Sequence, residues 1–512
     1  MKDIDITKIN MTTGELLKTA CATDREKLFI YFIPGESGET FGEFEEKVNR
    51  LSNYMERILK IRKGDKVCTM AENSPELLHT IISLNCVGAV WVPLNNQLIG
   101  ESLKYIIEDS DAGHVFASAI FEERIRDLHD QMRPVEIHSI GEVSDKSAAM
   151  PKTYDSQSDP DEINVIIYTS GTTGFPKGVM HTHLSNIRVG ARSLGILETT
   201  KDERIHVYLP FFHAWAYAIL MGALYYRASL YIDKAFNAGT YWADIDKYSI
   251  TQDHWTGTVP VGLMKLPSSA EDKQRSLKIF GTFGALYEQM IQRWPRLRFQ
   301  SLYGQTEHPA ATAVPPDQIF QGSDGLPKSP DEILIVDDNG NILSPGPVGE
   351  IVIRCRCGAG FQGYYKNSAA TAATLKGRDI YTGDLGYLDA RGHLHFAGRK
   401  KDALRVRGEM VSVEHIEYLI TSHAKILECA VVGYRSPEKE ILKEDEIVAH
   451  IVPRKGDNLS AQEFHQWSQK NIPRFMRPKY MFIKSELPKT ATNRIQKFKL
   501  RKEKIKEAEV LF

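Results

Sequence analysis

The feature that most restricts the fold is a strand–helix–strand alternation in the first hundred residues. The segment KGDKVCTMAENSPELLHTIISLNCVGAVWVPLN contains an apolar run at Val67–Met70, a helix start at Asn73-Ser74-Pro75 and a second apolar run through Val92. A polar cap before proline is typical of a helix N-terminus, and short apolar runs between turn residues are typical of buried strands. This alternation predicts parallel strands joined by crossover helices, and therefore the α/β class.

The pattern changes along the chain, which at 512 residues is too long for one core. From about Asp331, short strand-like runs surround turn signals, as in EILIVDDNGNIL and YLDARGHLHFAG, and predict a small antiparallel or barrel-like unit. From about Arg399 the chain is more basic and follows a βαβ-like order. We therefore predict a large N-terminal domain over residues 1–398 and a smaller C-terminal domain over residues 399–512.

Composition excludes several classes of protein. The formal net charge is −2, from 64 basic and 66 acidic residues, which argues against a broad nucleic-acid surface. The most apolar segment, Ala214–Tyr226, falls short of the about 20 residues that a membrane span requires and predicts a buried core helix. The charged N-terminus is unlike a signal peptide, and the scattered cysteines are typical of reduced thiols. We expect a cytoplasmic protein.

Cys355 and Cys357 form a close pair, C-x-C, inside a strand-like run. Alternation along a strand places both side chains on one face. Because no histidine or further cysteine lies nearby in the sequence, core packing is favoured over metal ligation. We assign no metal site to this pair.

The segment YTSGTTGFPKGVMHTH, residues 168–183, follows an apolar strand and is rich in glycines and hydroxyl residues. Free backbone N–H groups, the hydroxyls of Ser170, Thr172 and Thr173, and the ammonium of Lys177 suit a polyphosphate. A Walker loop requires glycine before its lysine and a hydroxyl residue after it, whereas this sequence has Pro-Lys-Gly. A glycine-rich surface turn is the alternative. The hydroxyl density and the lysine favour a phosphate site that is not of the Walker type.

The motif YTSGTTGFPKGV resembles the phosphate loop of the adenylate-forming superfamily, which contains acyl-CoA synthetases, adenylation domains of peptide synthetases and firefly-type luciferases. Further segments match that family in order along nearly the whole chain. They are LPFFHAWA, GTFGALYEQM, LYGQTEHPA, YTGDLGYLDARGHLHFAGRKKDALRVRGEMVSVEHIE and LPKTATNRIQKFKLR. The run RGE-x-V-S is most similar to the branch of carnitine/crotonobetaine-CoA ligases.

The resemblance implies a specific architecture and a two-step reaction. The expected N-terminal domain has two doubly wound α/β subdomains and a small distorted β-barrel, and the C-terminal domain is a mobile, smaller α+β unit. A substrate carboxylate would attack the α-phosphorus of ATP to give acyl-AMP and pyrophosphate. The first step needs in-line positioning and stabilised phosphoryl charge, with no enzyme nucleophile.

The resemblance also implies the nucleotide site. The implied ATP-binding residues are Thr169, Ser170, Gly171, Thr172, Thr173, Gly174, Lys177, Gly284, Ala285, Tyr303, Gly304, Gln305, Thr306, Asp384 and Arg399. Lys177 would hold the β- and γ-phosphates, Thr306 would contact the α-phosphate, and Glu307 would bind Mg²⁺. Tyr303 would stack on adenine, and Asp384 would accept both ribose hydroxyls. Lys177, Thr306 and Glu307 are also implied to be catalytic, together with Arg494.

Other positions are implied to serve the acyl group and the second substrate. The acyl-pocket candidates are His213, Trp215, Trp255, Phe283, His308 and Pro309. The large rings among them favour a compact or cyclic acid over a long fatty chain. Lys401 would be the pivot of the mobile domain, and Gly408 and Glu409 would line the second-substrate channel.

Two departures from the family pattern bear on activity. Phe283 stands where the family usually has glycine, which narrows the expected acyl pocket. Asn493-Arg494 replaces the usual glycine-lysine near the C-terminus. Arginine keeps the positive charge but spreads it over a planar fork, so the replacement is not neutral. We expect adenylation to be retained.

Three functions remain open from the sequence. The first is a ligase that uses ATP and Mg²⁺ and transfers the acyl group to CoA or to a carrier-protein thiol. The second transfers the acyl group to an amine or amino acid and forms an amide. The third, prompted by Arg494, is a nucleotide-binding regulator without catalysis. The identity of the carboxylic acid is not specified by any of these motifs.

Overall fold

The computed structural model describes residues 5–128, 131–169, 176–256, 258–281, 287–314, 323–400, 404–406, 409–411, 413–435, 445–472, 476–489, 495–503 and 505–511. The chain divides into two compact units. Unit 1 comprises Met1–Ile333 and Ile353–Tyr381, and unit 2 comprises Leu334–Val352 and Thr382–Phe512. The predicted domain boundary at residue 398 stays a prediction.

Unit 1 contains a six-stranded sheet that follows the predicted strand–helix–strand alternation. In spatial order its strands are Glu136–Ser139, His114–Ala117, Lys66–Met70, Val90–Pro93, Ile163–Thr169 and Lys177–Thr182. Neighbouring strands are parallel except for the last two, which form an antiparallel pair. The antiparallel pair brings Lys177 back to the end of the strand before it.

The crossover helix Pro75–Val87 shows why the local sequence folds in this way. The hydroxyl of Ser74 accepts a hydrogen bond from the backbone N–H of Leu77, and Pro75 occupies the first helical turn, where its missing N–H is not needed. Gly88 ends the helix with a φ of 81°, a conformation that glycine adopts without steric cost. The helix then leads directly into the strand Val90–Pro93.

A second, seven-stranded sheet lies in the same unit. In spatial order its strands are Arg298–Ser301, Lys278–Gly281, Gln252–Trp255, Arg204–Val207, Ser229–Ile232, Leu28–Phe32 and Ser37–Thr40. Its neighbours are parallel except for the last two. Two mainly parallel sheets with crossover helices confirm the α/β class.

The helices His183–Ile196 and Ala214–Tyr226 pack closely against each other in unit 1. A Cβ on Gly190 would lie 2.5 Å from the backbone nitrogen of Gly222, so both glycines are required for this approach. The second helix is buried along most of its length, which confirms the predicted core helix. Among the helices in the described ranges, none is both long enough and apolar enough to span a bilayer.

The other described α-helices of unit 1 surround these sheets. They are Thr13–Asp24, Phe41–Arg57, Gly100–Asp109, Ala119–Arg126, Ile140–Ser147, Tyr241–Lys247, Thr258–Met264, Tyr287–Arg293 and Ser368–Thr374. The first two begin with capping boxes at Thr12 and Thr40.

The predicted barrel-like unit is present as a half-barrel sheet. Its strands are Glu332–Val336, Gly349–Arg354, Asp379–Leu388, Leu375–Lys376 and Leu394–Arg399. The unit boundary passes through the first three of these strands. A short antiparallel pair, Thr312–Ala313 with Leu326–Pro327, lies in unit 1.

One local prediction about this sheet is wrong. The strand Gly349–Arg354 ends before Cys355, and Cys355 and Cys357 lie in the irregular segment that follows it. The backbone N–H groups of Arg356 and Cys357 donate to the Asp331 carboxylate, at 2.7 and 3.0 Å, instead of to a neighbouring strand. The two cysteines are therefore not alternate positions of a strand.

Unit 2 contains a four-stranded sheet in the order Ile426–Tyr434, Glu446–Pro453, Tyr480–Ile483 and Glu509–Val510. Its described α-helices are Val413–Thr421, Ala461–Asn471 and Lys497–Leu500, and a short hairpin joins Leu404–Val406 to Glu409–Val411. Buried apolar side chains from the sheet and the first two helices form its core. This arrangement confirms an α+β C-terminal part.

Candidate active site

Lys177 lies at the first position of the strand Lys177–Thr182 and pairs with Thr169 on the strand before it. The predicted phosphate-binding residues between these two strands, from Ser170 to Gly174, lie outside the described residues. Because the flanking strands are paired directly, Lys177 and Thr169 stand at the mouth of that loop. The phosphate-binding role of Lys177 stays a prediction.

Lys177, Tyr364 and Glu307 form a connected chain of side chains. The Nζ atom of Lys177 lies 5.1 Å from the centre of the Tyr364 ring. The hydroxyl of Tyr364 donates a hydrogen bond of 2.6 Å to Oε1 of Glu307. Burial, and then the charge of Glu307, raises the pKa of Tyr364, so its hydroxyl stays a donor. Tyr364 thus contacts an ammonium over its ring and a carboxylate at its hydroxyl.

Tyr364 was missed by sequence reasoning, although it lies in the run GYYKN. Its segment is fixed by backbone hydrogen bonds to the neighbouring elements: the N–H of Phe361 donates to the carbonyl of Glu307 at 2.9 Å, and the N–H of Tyr365 donates to the carbonyl of Gly178 at 2.8 Å. These bonds set the segment against both Glu307 and the strand of Lys177. The signal in the sequence was a pair of tyrosines in a loop, which does not reveal the partners.

The loop that carries Thr306 and Glu307 is tightly folded. The backbone N–H and carbonyl groups of Gln305 and His308 exchange hydrogen bonds of 3.1 and 2.9 Å. A Cβ on Gly304 would lie 2.5 Å from the carbonyl carbon of Pro309, so glycine is required at this position. The predicted residues Gly304, Gln305 and Pro309 therefore shape the turn that presents Glu307.

His181, on the same strand as Lys177, holds the carbonyl of Thr306. Its Nε2 donates a hydrogen bond of 2.7 Å to that oxygen. Burial lowers the pKa of His181 to about 4, and the hydrogen bond to Thr306 only partly offsets this effect. His181 is therefore a neutral donor near pH 7, and it was not among the predicted residues.

Tyr303 is buried just before this loop. Its backbone N–H donates to the hydroxyl of Thr312 at 3.1 Å, and its carbonyl accepts from Ala311 and Thr312. These bonds fix the backbone on both sides of Tyr303. Stacking of its ring on adenine stays a prediction.

His308 is fully buried and belongs to a polar cluster with Asp331 and Arg192. Its Nε2 donates to Oδ2 of Asp331 at 3.0 Å, and Nη1 of Arg192 lies 2.6 Å from the same oxygen. Burial disfavours the charged imidazole, but the combined effects of Asp331 and Cys355 outweigh burial and raise the pKa of His308. Burial opposes the charge of Asp331 as well, yet its bonds to His308 and Arg192 hold the pKa of that carboxyl well below its usual range.

In unit 2, Asp384 and Arg399 are directly opposite each other on paired strands. Asp384 is buried, and its backbone N–H donates to the hydroxyl of Thr382 at 3.1 Å. Glu350 fixes the same turn, since its carboxylate accepts from the Gly383 N–H at 3.1 Å. The structure therefore pairs the backbone of Asp384, the predicted ribose-binding residue, with that of Arg399, another predicted ATP-binding residue. Glu350 had no recognisable signal in the sequence.

Two of the predicted acyl-pocket residues lie in aromatic surroundings. Trp215 stacks on Phe280 with ring centres 5.0 Å apart and lies 5.7 Å from the ring of His254. Trp255 is buried, and its Nε1 donates to the hydroxyl of Tyr241 at 2.9 Å. Phe280 and His254 were not predicted.

His213 differs from these residues because it is exposed. It precedes the helix Ala214–Tyr226, and its ring lies 4.6 Å from that of Phe212. Its place beside the acyl group, like that of the other pocket candidates, stays a prediction.

Several predicted residues cannot be placed. Those outside the described residues are Ser170, Gly171, Thr172, Thr173, Gly174, Phe283, Gly284, Ala285, Lys401, Gly408 and Arg494. Arg399 and Glu409 are described as strand positions, at the end of Leu394–Arg399 and the start of Glu409–Val411. The roles of all these residues stay predictions.

Comparison with known proteins identifies relatives across most of the chain. Residues 17–365 match the family described as AMP-binding enzyme, and residues 415–494 match the AMP-binding enzyme C-terminal domain. The crotonobetaine/carnitine–CoA ligase of Shigella sonnei (strain Ss046) is 29% identical over 88% of this chain and 91% of its own length. The enzyme of the same name from Escherichia coli O8 (strain IAI1) gives the same values.

Solved structures with the same fold include two acyl-adenylate complexes. One is o-succinylbenzoate CoA synthetase (MenE) from Bacillus subtilis with OSB-AMP, with a TM-score of 0.86, 22% identity and coverage of 98% of this chain and 100% of that chain. The other is the anthranilate CoA ligase AuaEII with anthranoyl-AMP, with a TM-score of 0.86, 23% identity and coverage of 97% and 98%. At these identities the similarity establishes the fold.

Proposed function

Because this chain belongs to the AMP-binding enzyme family, we propose that it is an ATP-dependent carboxylic acid ligase that makes an acyl-CoA. In the first step a carboxylate is converted to acyl-AMP with release of pyrophosphate. In the second step the CoA thiol displaces AMP. The family match covers more than half of the chain. The substrates and the acyl acceptor are proposed.

The contacts of Tyr364 with Lys177 and with Glu307 are the observation that carries this proposal. Phosphoryl transfer requires a cation for the phosphate oxygens and a carboxylate for the metal that bridges them. Here Nζ of Lys177 lies 5.1 Å from the centre of the Tyr364 ring, and the hydroxyl of Tyr364 donates a hydrogen bond of 2.6 Å to the Glu307 carboxylate. Tyr364 contacts both groups, and the ion pairs of the described residues do not include one between Lys177 and Glu307.

Glu307 fits the role of a magnesium ligand. Its side chain is largely shielded from solvent, and among the described residues its carboxylate accepts a hydrogen bond only from Tyr364. An ionised carboxylate offers about four lone-pair sites, so several remain for a hard cation. When bound, Mg²⁺ supplies positive charge to the triphosphate oxygens.

We assign the remaining roles in the first step as follows. Lys177 holds the pyrophosphate half of ATP, and the hydroxyl of Thr306 contacts the α-phosphate where the substrate carboxylate attacks. The hydrogen bond from His181 to the Thr306 carbonyl keeps this residue in place. Arg494 bridges the two reacting groups in place of the usual lysine, with a guanidinium fork that can hold two oxygens.

For the second step we propose that the C-terminal domain pivots at Lys401. Gly408 and Glu409 then line the channel through which CoA reaches the acyl-AMP. Attack of the thiol on the acyl carbon breaks the bond to AMP, and the thiol proton passes to solvent. The acceptor is proposed to be CoA because the relatives in sequence and the solved neighbours are named as CoA ligases.

The aromatic surroundings of Trp215 support a compact acid. A tryptophan stacked on Phe280 at 5.0 Å presents a flat, rigid surface that favours a ring or a short quaternary ammonium chain over a long flexible one. We therefore propose small betaines and aromatic acids as the first substrates to test. The relatives named above act on acids of these two kinds.

The test is a panel of acids offered with ATP and Mg²⁺, in the presence of CoA or of mixed amino acids. The panel contains crotonobetaine, carnitine, o-succinylbenzoate, anthranilate and a long-chain fatty acid. Mass spectrometry is expected to detect a CoA thioester, with pyrophosphate released in proportion to the acid. An amide without thioester would replace the proposed acceptor by an amine. Binding of ATP without acid-dependent pyrophosphate release would replace the enzyme by a regulator.

Lys177→Ala tests directly whether the Lys177 ammonium supports the first step. Removing the ammonium is expected to lower acid-dependent pyrophosphate release by about 10²-fold, the order found when one charge-stabilising group is removed. Lys146→Ala is the matched control, because Lys146 pairs with Glu142 on an exposed helix. Equal rates for the two variants would contradict the assigned role of Lys177.

A further inference from the structure

We propose that His308, Cys355 and Cys357 bind a zinc-type divalent ion, with Asp331 holding the histidine in place. A ring nitrogen of His308, a carboxylate oxygen of Asp331 and both cysteine sulfurs lie within 4.8 Å of one another. All four residues belong to unit 1 and are distinct from the proposed magnesium ligand Glu307. Sequence spacing does not reveal this group, because His308 and Asp331 lie far from the C-x-C motif along the chain.

The spacing suits zinc. Zinc binds cysteine sulfur at about 2.3 Å and histidine nitrogen at about 2.0 Å, so tetrahedral ligands lie about 3.3 to 3.8 Å apart. The candidate ligand atoms lie within 4.8 Å of one another, so they need to close by at most about 1 to 1.5 Å to reach these distances. Thiolate and imidazole donors select zinc over magnesium or calcium, which prefer oxygen.

His308 is prepared to be a ligand. Its Nε2 donates to Asp331 at 3.0 Å, and its Nδ1 is buried without a hydrogen-bond partner in the described part of the chain. A buried ring nitrogen without a partner is costly unless something binds it. Metal-binding histidines regularly donate their other N–H to a carboxylate, which fixes the ring and its tautomer. Asp331 and His308 have this arrangement.

The Asp331 carboxylate is itself held in place by several hydrogen-bond donors. Its Oδ1 accepts from the N–H groups of Arg356 and Cys357, and its Oδ2 contacts Arg192 at 2.6 Å. The same Oδ2 lies 3.1 Å from Sγ of Cys357. The carboxylate therefore positions both the histidine and the turn that carries the cysteines.

The charges of the cluster balance when a divalent ion is present. Binding converts two thiols to thiolates and releases their two protons to solvent. Two thiolates, one carboxylate, one divalent cation and the Arg192 guanidinium then sum to zero. Such neutrality matters because the cluster is buried except for partial exposure of Cys355. The fourth coordination position is left for water.

The proposed ion would tie together two separate segments. His308 directly follows Glu307, and the cysteines follow the strand Gly349–Arg354. A metal bond between them would fix the loop of Glu307 to the end of that strand. The site is therefore assigned a positioning role, separate from the magnesium chemistry.

The primary test is the metal content of the full-length protein from zinc-supplemented cultures, measured by inductively coupled plasma mass spectrometry. The unchanged protein is expected to carry close to one zinc ion per chain. The double variant Cys355→Ser/Cys357→Ser is expected to lose it, with zinc affinity reduced beyond the about 10- to 100-fold that loss of an outer-shell partner costs.

Two control variants identify the source of the metal. Cys86→Ser removes a buried thiol of the same unit outside the cluster and is expected to retain zinc. His138→Gln disrupts a second histidine group, in which Nε2 of His138 lies 3.0 Å from Nδ1 of His114 beside Glu136. Zinc that is lost in His138→Gln and retained in the double cysteine variant would overturn the proposal.

Cobalt substitution provides a readout that does not depend on a variant folding. Addition of Co²⁺ to the reduced, metal-free protein is expected to produce a thiolate-to-cobalt charge-transfer band in the near ultraviolet. Absence of zinc together with absence of this band in the unchanged protein would overturn the proposal. So would a mass lower by two hydrogens that maps to a Cys355–Cys357 disulfide under native conditions.

Discussion

Two buried carboxylates adjoin His308, Glu307 as its neighbour in the chain and Asp331 as its hydrogen-bond partner, and they differ in how many donors they accept. The Glu307 carboxylate receives one hydrogen bond from the described residues, from Tyr364. The Asp331 carboxylate receives the guanidinium of Arg192, the imidazole N–H of His308, the Cys357 thiol and two backbone N–H groups. Two acidic residues of similar burial therefore differ in how much of their hydrogen-bonding capacity is already used.

The difference separates a structural carboxylate from one that is ready for a ligand. A buried ion pair is costly to break because the remaining partner is left charged and unpaired. Asp331 and Arg192 are in this situation, with 0% and 4% of their side chains exposed. Glu307 has lone pairs to spare, so replacing it removes binding capacity more than stability. The following variants test this distinction.

Asp331→Asn is expected to have the largest effect, on stability. It keeps the size of the side chain but removes the charge that compensates Arg192, which costs about 3 to 5 kcal/mol when a buried pair is broken. Urea unfolding followed by fluorescence measures the change. Asp379→Asn is the control, since Asp379 pairs with Arg354 at a partly exposed site and is worth about 1 kcal/mol or less. Equal losses would remove the distinction between the two carboxylates.

Glu307→Gln is expected to have its effect on activity. Loss of the proposed magnesium ligand should lower kcat for pyrophosphate release by about 10²- to 10³-fold, equivalent to about 2.7 to 4 kcal/mol. The free energy of unfolding should change by about 1 kcal/mol or less, because the amide still accepts from Tyr364. A stability loss as large as that of Asp331→Asn, with activity retained, would assign Glu307 a structural role.

The fold was predictable from local pattern, and the site was predictable only in part. The order of apolar runs and caps, such as Ser74 and Gly88 around the helix Pro75–Val87, is visible within a few residues of sequence. By contrast, Tyr364 meets Glu307 across 57 positions of the chain. Local periodicity in the sequence does not reveal a contact between residues so far apart in the chain.

The C-x-C motif shows how a local reading fails. Cys355 and Cys357 have the spacing of a strand face. The expected core packing is confirmed, since Cys357 belongs to the buried core and Cys355 packs against it, but the expected strand is not. The strand ends at Arg354 because Asp331 accepts the N–H groups that would otherwise continue it. The partner that decides the conformation lies about 25 residues earlier, so spacing alone predicted the wrong element.

Gly304→Ala tests whether one tight loop positions both Glu307 and His308, the partner of Asp331. The added Cβ would lie 2.5 Å from the carbonyl carbon of Pro309, and overpacking of this kind costs about 1 to 3 kcal/mol. Both stability and pyrophosphate release should fall, since the loop carries Glu307 and His308. Gly141→Ala is the control: it lies in the helix Ile140–Ser147 with open space around it, and should be neutral or stabilising by about 0.4 to 1 kcal/mol. If Gly304→Ala lost only stability or only pyrophosphate release, the loop would not position Glu307 and His308 together.

Tyr364→Phe is expected to have the smallest effect and addresses Glu307 alone. It removes the hydroxyl that donates to Oε1 at 2.6 Å but keeps the ring beneath Lys177. A hydrogen bond to a charged group contributes about 1.5 to 3 kcal/mol, and water offsets part of that loss at a ligand site. Titration of Mg²⁺ against pyrophosphate release should show a several-fold higher magnesium requirement with little change at saturation. Tyr365→Phe, which removes a hydroxyl bonded to Asp111 at 2.8 Å, should leave the titration unchanged. An unchanged requirement in Tyr364→Phe would mean that the hydroxyl does not orient Glu307 for the metal.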